Sequence, residues 1–162
     1  VCREWEAATA PARDAGIRVV QLRIGIVLSA GGGALAQLLT PFRLGAGGRL
    51  GDGRQFMSWI ALDDLLDVIL HSTMDDRLEG VVNAVSPDAI SNAEFTRTLG
   101  RVLRRPTLFP VPAPLARAAF GEMADEMLLA SARVEPARLL HAGFTFRTPT
   151  LDAALRHTLG RA

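Results

Sequence analysis

Apolar positions recur along this chain with two different periods. Residues 17–28 run Ile-Arg-Val-Val-Gln-Leu-Arg-Ile-Gly-Ile-Val-Leu, β-branched and mostly apolar, which predicts a buried parallel strand. Gly31-Gly32-Gly33 breaks it. From Ala34 to Leu44 the apolar residues Leu35, Leu38, Leu39 and Phe42 fall at helical spacing. Asp63 to Met74 predicts an amphipathic helix with Leu65, Leu66, Ile69 and Leu70 as its apolar face. Upstream, Cys2 to Ala15 reads as a helix anchored by Trp5, interrupted at Pro11 and stopped at Gly16.

The same reading continues downstream. A glycine-rich loop, Gly45 to Gly53, leads into a short strand near Phe56 to Ile60, and Gly80 to Ser86 forms another strand. Ser91 and Glu94 have capping-box spacing, which starts a helix that runs to about Leu103. Thr107 to Val111 is extended, held among Pro106, Pro110, Pro112 and Pro114. Helices follow at Leu115 to Phe120, Glu122 to Ala130, Pro136 to His141 and Leu151 to Leu159, with Gly143 capping the third. Strand and helix alternate through the first two-thirds, which predicts an α/β fold, and the last third is a helical appendage. The junction falls between Arg104 and Pro114.

Composition narrows the function classes. Apolar content of 49% and charge of 22% are those of a soluble globular chain. A net charge of +1 creates no strong field toward nucleic acid or an anionic membrane, so neither is an expected partner. Arg18 and Arg23 interrupt the best apolar run before it could span a bilayer. The one cysteine, Cys2, allows no internal disulfide, which makes a reducing cytoplasm the expected location. The chain starts with Val1, which points to a truncated or processed start. It has no tyrosine, so no tyrosine-based acid chemistry resides here.

Candidate chemistry is sparse. Gly31 to Ala36 has the G-x-G-x-x-A form of a dinucleotide fingerprint between strand and helix, where glycines let a phosphate approach the helix N-terminus. The expected acidic partner at a strand end is missing, since Asp52 lies among loop glycines, and a plain glycine turn is the favoured reading. Arg23 in a buried strand needs a partner: either it lies on the floor of a ligand cleft or it pairs with a helix carboxylate. Arg49 and Arg54 suit diphosphate oxygens or a solvated loop. Asp63 and Asp64 open their helix at its positive dipole end. His71, His141 and His157 show no ligand spacing. The Met123, Met127, Leu128 stripe is core or interface. Gln55-Phe56-Met57-Ser58-Trp59 passes from strand to acidic helix start, which can set Gln55, Ser58 and Trp59 beside a pocket.

Taken in order, several segments resemble an atypical extended short-chain dehydrogenase/reductase family, the NAD(P)-dependent sugar-nucleotide epimerase-like proteins. They are Val1 to Glu6, Leu22 to Leu28, Gly47 to Gln55, Ser58 to Ile60, Asn83 to Pro87 and Asn92 to Phe95. Further on, Pro110 to Pro112, Gly121 to Ala124, Ser131 to Pro136 and Gly143 to Phe146 look like the family's small C-terminal domain of unknown function. The resemblance implies the C-terminal part of a Rossmann-type parallel-sheet domain over 1–104, and a mainly helical substrate-binding lobe over 105–162. On this basis the chain would begin after the family's cofactor fingerprint and catalytic Tyr region. NAD or NADP would be bound by the full-length parent and not tightly by this chain alone. Gly25, Ile26 and Val27 would lie near the nicotinamide, offering backbone contacts, while Arg23, Gln55, Ser58 and Trp59 would face a nucleotide sugar or similar polar substrate. Where the family usually has histidine, this chain has Ala61. The implied partner is a missing N-terminal half. The alternative is a non-enzymatic binding or assembly module that pairs with another chain or with itself.

Overall fold

The structure is a computed structural model that describes residues 2–108, 110–112 and 131–161. The helices expected at Leu115 to Phe120 and Glu122 to Ala130, with the stripe of Met123, Met127 and Leu128, lie outside the described residues. Six strands and seven helices are described in the order α1 (Cys2–Ala7), α2 (Ala10–Asp14), β1 (Val20–Ile24), β2 (Ile26–Leu28), α3 (Gly33–Arg43), β3 (Phe56–Met57), β4 (Trp59–Ala61), α4 (Leu62–Met74), β5 (Gly80–Ala84), β6 (Ile90–Ser91), α5 (Asn92–Leu103), α6 (Ala137–His141) and α7 (Leu151–Thr158).

The long predicted strand is divided at Gly25. Its first part, β1, runs parallel to β5, with Val20 opposite Gly80 and Ile24 opposite Ala84. Its second part, β2, runs parallel to β4, with Ile26 opposite Trp59. The chain thus changes partner at one residue. Gly25 N donates to Ala84 O at 3.1 Å, and the next amide, Ile26 N, donates to Ser58 O at 2.9 Å. A Cβ on Gly25 would lie 2.7 Å from Ser58 O and 2.8 Å from Val85 Cγ1, so the fork closes only around glycine. The antiparallel pair β3–β6 stands beside it.

Two apolar clusters flank the strands. One gathers Leu28, Trp59, α3, α5 and α7 through residues such as Leu35, Phe42, Phe95, Leu99 and Leu155. The other holds Ile60, Leu65, Val68, Val82, Leu139 and Phe146. Both draw on residues from before and after the Arg104 to Pro114 junction. Ser91 Oγ accepts from Glu94 N at 3.2 Å, as the capping box predicts, and α5 ends at Leu103.

Two expectations about apolar faces are corrected. Trp5 does not anchor its helix, because 72% of it is exposed, and the interruption expected at Pro11 divides the segment into α1 and α2. In α4, Leu65 and Val68 are buried with Asp64 and Ser72, whereas Leu66, Ile69, Leu70 and Met74 face outward. The helix is apolar on both sides, and periodicity alone does not say which side the sheet takes.

The acidic start of α4 holds the C-terminal region. Asp64, 1% exposed, accepts from Arg147 N at 2.7 Å through one oxygen. Its other oxygen accepts from Thr148 N at 3.2 Å and Thr148 Oγ1 at 2.6 Å. Asp67 pairs with the Arg147 guanidinium, and Asp63 meets His157 Nε2 at 2.6 Å. The three aspartates therefore form long-range ties, and Asp63 and Asp64 also occupy the helix start.

Candidate functional site

Where the two parallel pairs part, the strand ends leave an open cavity of about 480 Å³. It lies beyond the C-terminal ends of β1 and β5, the place at which open parallel sheets leave room for ligands. Its wall is largely apolar, made by Ile24, Gly25, Ile26, Met57 and Val85, with Phe56 at one side. Polar groups reach it from Arg23, Ser58 and Asn83.

Residues 131–135 lie across this cavity as a strap. Ala132 N donates to Phe56 O at 3.1 Å, and Phe56 N donates to Ser131 Oγ at 3.1 Å. Ser58 holds the strap from below: its hydroxyl donates to Ala132 O at 2.8 Å and accepts from Val134 N at 2.9 Å. Asn83 Nδ2 donates to Glu135 O at 3.2 Å. Ala132 and Val134 turn small apolar side chains toward the cavity. Arg133, between them, places its guanidinium 5.2 Å from the centre of the Phe56 ring.

Charge at the cavity is balanced on one side. Arg23 is exposed, not buried, and makes a bidentate pair with Glu6 of α1 at 2.7 and 2.8 Å. That hydrogen-bonded guanidinium holds the Glu6 carboxyl below its ordinary range, and Glu6 raises Arg23 in turn. Arg23 thus lines the cavity and is at the same time paired with a helix carboxylate.

The other expected site residues divide. Gly25, Ile26 and Ser58 come together with Arg23 at the cavity. Val27 packs against the second apolar cluster instead. Trp59 is 1% exposed in the core, and its Nε1 donates to Asp88 O at 2.7 Å. Gln55 is half-buried and its amide donates to Leu50 O at 3.1 Å. Asn83, Val85, Ala132 and Val134 complete the wall without any spacing that links them; the motifs Asn83 to Pro87 and Ser131 to Pro136 are the sequence signal that contains them. Of the Gly31 to Ala36 segment, Gly31 borders a separate cavity of about 290 Å³ with Asp63 and His157, and α3 starts from Gly33 at φ 69°. Among the described residues no group of three or more His, Cys, Asp or Glu is arranged to hold a metal ion, and no helix is long and apolar enough to cross a membrane.

Comparison with known proteins gives a consistent picture. Residues 111–158 match a family described as a domain of unknown function, DUF1731. An epimerase family protein of Mycobacterium bovis is 45% identical over 161 residues, covering 99% of this chain and 54% of that protein. The crystal structure of human epimerase family protein SDR39U1 (isoform 2) with NADPH superposes with a TM-score of 0.84 at 40% identity, over 90% of this chain and 50% of that one. A nucleoside-diphosphate sugar epimerase from Corynebacterium glutamicum gives a TM-score of 0.79 at 40% identity, over 98% and 30% of the two chains. The chain spans about half the length of the curated relatives it matches. Its architecture is that of Rossmann-type epimerases.

Proposed function

We propose, for a chain that matches the C-terminal region of the atypical short-chain dehydrogenase/reductase epimerase family, that it builds the substrate-side wall of an NAD(P)-dependent oxidoreductase or epimerase acting on a nucleotide sugar or similar polar substrate. The observation that carries this reading is the strapped cavity at the Gly25 fork, beyond the C-terminal ends of the parallel strands.

The residues present suit one end of such a cofactor. Ile24, Ile26 and Val85 offer an apolar wall to a flat ring such as the nicotinamide. Arg23 of the lining is already paired with Glu6, so the apolar part of the wall suits the nicotinamide end. When bound, the nicotinamide supplies hydride transfer. The chain's own part is to orient and exclude water. Gly25 lets the strands close here because it carries no side chain, Ser58 fixes the strap, and Asn83 ties Glu135 down. With no tyrosine in the chain, proton transfer by such a group must come from elsewhere in the protein.

A second observation supports pairing with further structure. Among the described residues β1 has a partner on one edge only, β5, and the outward face of α4 presents Leu66, Ile69, Leu70 and Met74. An unpaired parallel edge beside an apolar helix face is what a neighbouring strand and helix would cover. On this reading the missing sheet strands dock along β1, and the 162 residues alone have no turnover. Hydride transfer from NADPH, or epimerisation of a nucleotide sugar, by the full-length protein but not by this chain is the expected result. Turnover by the isolated 162 residues would overturn that division of labour, and a full-length protein inert toward every nucleotide sugar and cofactor would overturn the proposed activity.

A further inference from the structure

We propose that Arg133 is the anion-recognising residue of the strapped cavity, binding a phosphate group of a ligand whose uncharged part fills the cavity. This rests on the nucleotide-ligand reading above and names the residue that reads the charge.

The backbone on both sides of Arg133 is fixed. Ser58 bonds Ala132 O and Val134 N with one hydroxyl, and Phe56 exchanges bonds with Ser131 and Ala132. A surface arginine ordinarily spreads over many rotamers, and ordering it costs affinity. Here the strap sets the starting direction and the Phe56 ring carries the guanidinium 5.2 Å from its centre. A stacked guanidinium keeps its N–H edge free, because the ring takes the face and not the donors.

Among the described residues Arg133 makes no hydrogen bond or ion pair, whereas Arg23, the other cation at this cavity, is held in a bidentate pair by Glu6. The geometry also separates charge from apolar surface. Side chains alternate along an extended segment, so Arg133 leaves the strap on the side away from Ala132 and Val134 and lies over the ring of Phe56, itself a residue of the cavity wall. The guanidinium therefore sits at the rim, where a charged group keeps part of its hydration, and the interior accepts the uncharged remainder. A planar fork of donors at such a rim matches the paired oxygens of a phosphate.

A phosphate of this kind belongs either to a nucleotide-sugar substrate or to the cofactor. Calorimetric titration of the full-length protein with uridine 5′-diphosphate and, separately, with NADPH distinguishes the two for wild type, Arg133→Gln, Arg133→Lys and Phe56→Leu. Loss of roughly ten- to hundred-fold in affinity for one probe in Arg133→Gln, with smaller losses in Arg133→Lys and Phe56→Leu, is the expected result. Loss confined to uridine 5′-diphosphate assigns the phosphate to the substrate, and loss confined to NADPH assigns it to the cofactor. Unchanged binding of both probes by Arg133→Gln overturns the assignment and leaves the functional reading standing. Equal losses on both probes in all three variants indicate a damaged wall and also overturn it. A wild-type protein that binds neither probe overturns the functional reading together with the assignment.

Discussion

Replacing Asp64 by alanine is the sharpest test of how the C-terminal region is held. The carboxylate is 1% exposed and accepts three hydrogen bonds, from Arg147 N, Thr148 N and Thr148 Oγ1. Alanine leaves two backbone donors without a partner in a buried setting, while the hydroxyl can turn elsewhere. Each stranded donor costs about 1–3 kcal/mol, so the gross loss is about 2–6 kcal/mol. Two effects reduce it. Removing the charge also removes the cost of burying a carboxylate, and water can reach a loop whose neighbours Arg147 and Pro149 are exposed. The expected net loss is about 3 kcal/mol, and Asp64→Asn, which keeps one acceptor oxygen, should lose about half of that. Urea unfolding followed by the fluorescence of buried Trp59, with Trp5 replaced by phenylalanine, reads this directly. With a slope of about 2 kcal/mol/M the midpoint of Asp64→Ala falls by about 1.5 M. A loss below about 0.5 kcal/mol, the range of ordinary surface substitutions, would refute the view that this carboxylate clasps residues 147 and 148.

Four further outcomes follow from the same geometry. Gly25→Ala forces a Cβ to within 2.7 Å of Ser58 O and 2.8 Å of Val85 Cγ1, so it should destabilise by about 1–3 kcal/mol in thermal unfolding and narrow the cavity. Ser58→Ala releases both bonds to the strap; hydrogen exchange at the Val134 amide should accelerate at least about ten-fold, while amides of α5 stay protected. Trp59→Phe strands the Asp88 carbonyl and leaves a void, at about 2–4 kcal/mol by chemical denaturation. Arg77 holds the Asp75 carboxyl at about 2 against an ordinary 3.8, chiefly by hydrogen bonding; a carboxylate depressed in this way stabilises the folded chain above the unfolded value and loses that contribution as pH falls from about 4 to about 2. Asp75→Asn should flatten that part of the curve of urea midpoint against pH.

The elements with strong local signals were legible in the sequence. Leu35, Leu38, Leu39 and Phe42 are all buried as their helical spacing predicts, and the Ser91–Glu94 box caps α5. Gly143 follows α6 with φ 80°, where a left-handed residue ends a helix. Burial was less legible where a segment is apolar on more than one side. In α4, spacing points to Leu65, Leu66, Ile69 and Leu70 as one face, whereas the packing against Ile60 and Val82 buries Leu65 with Val68. Trp5 shows the same limit, since size favours burial only where another surface lies opposite. The division at Gly25 depends on a contact with Val85 and Ser58, which a run of β-branched residues does not encode. In the candidate site, Gly25, Ile26 and Ser58 could be reached from motifs. The strap could not, because its bonds join Ser58 to Ala132 and Val134 across distant positions. Asp64 reads as a helix opener until Thr148 is seen against it.

The most direct test of the central claim is methyl NMR of the full-length protein, labelled at Ile, Val and Ala, on adding NADPH and then a nucleotide sugar. The cavity at the Gly25 fork predicts shifts at Ile24, Ile26, Val85 and Ala132, with core methyls such as Val68 and Ala154 unmoved. Binding that shifts methyls elsewhere and leaves those four unchanged would contradict the assignment of this cavity as the ligand-facing wall.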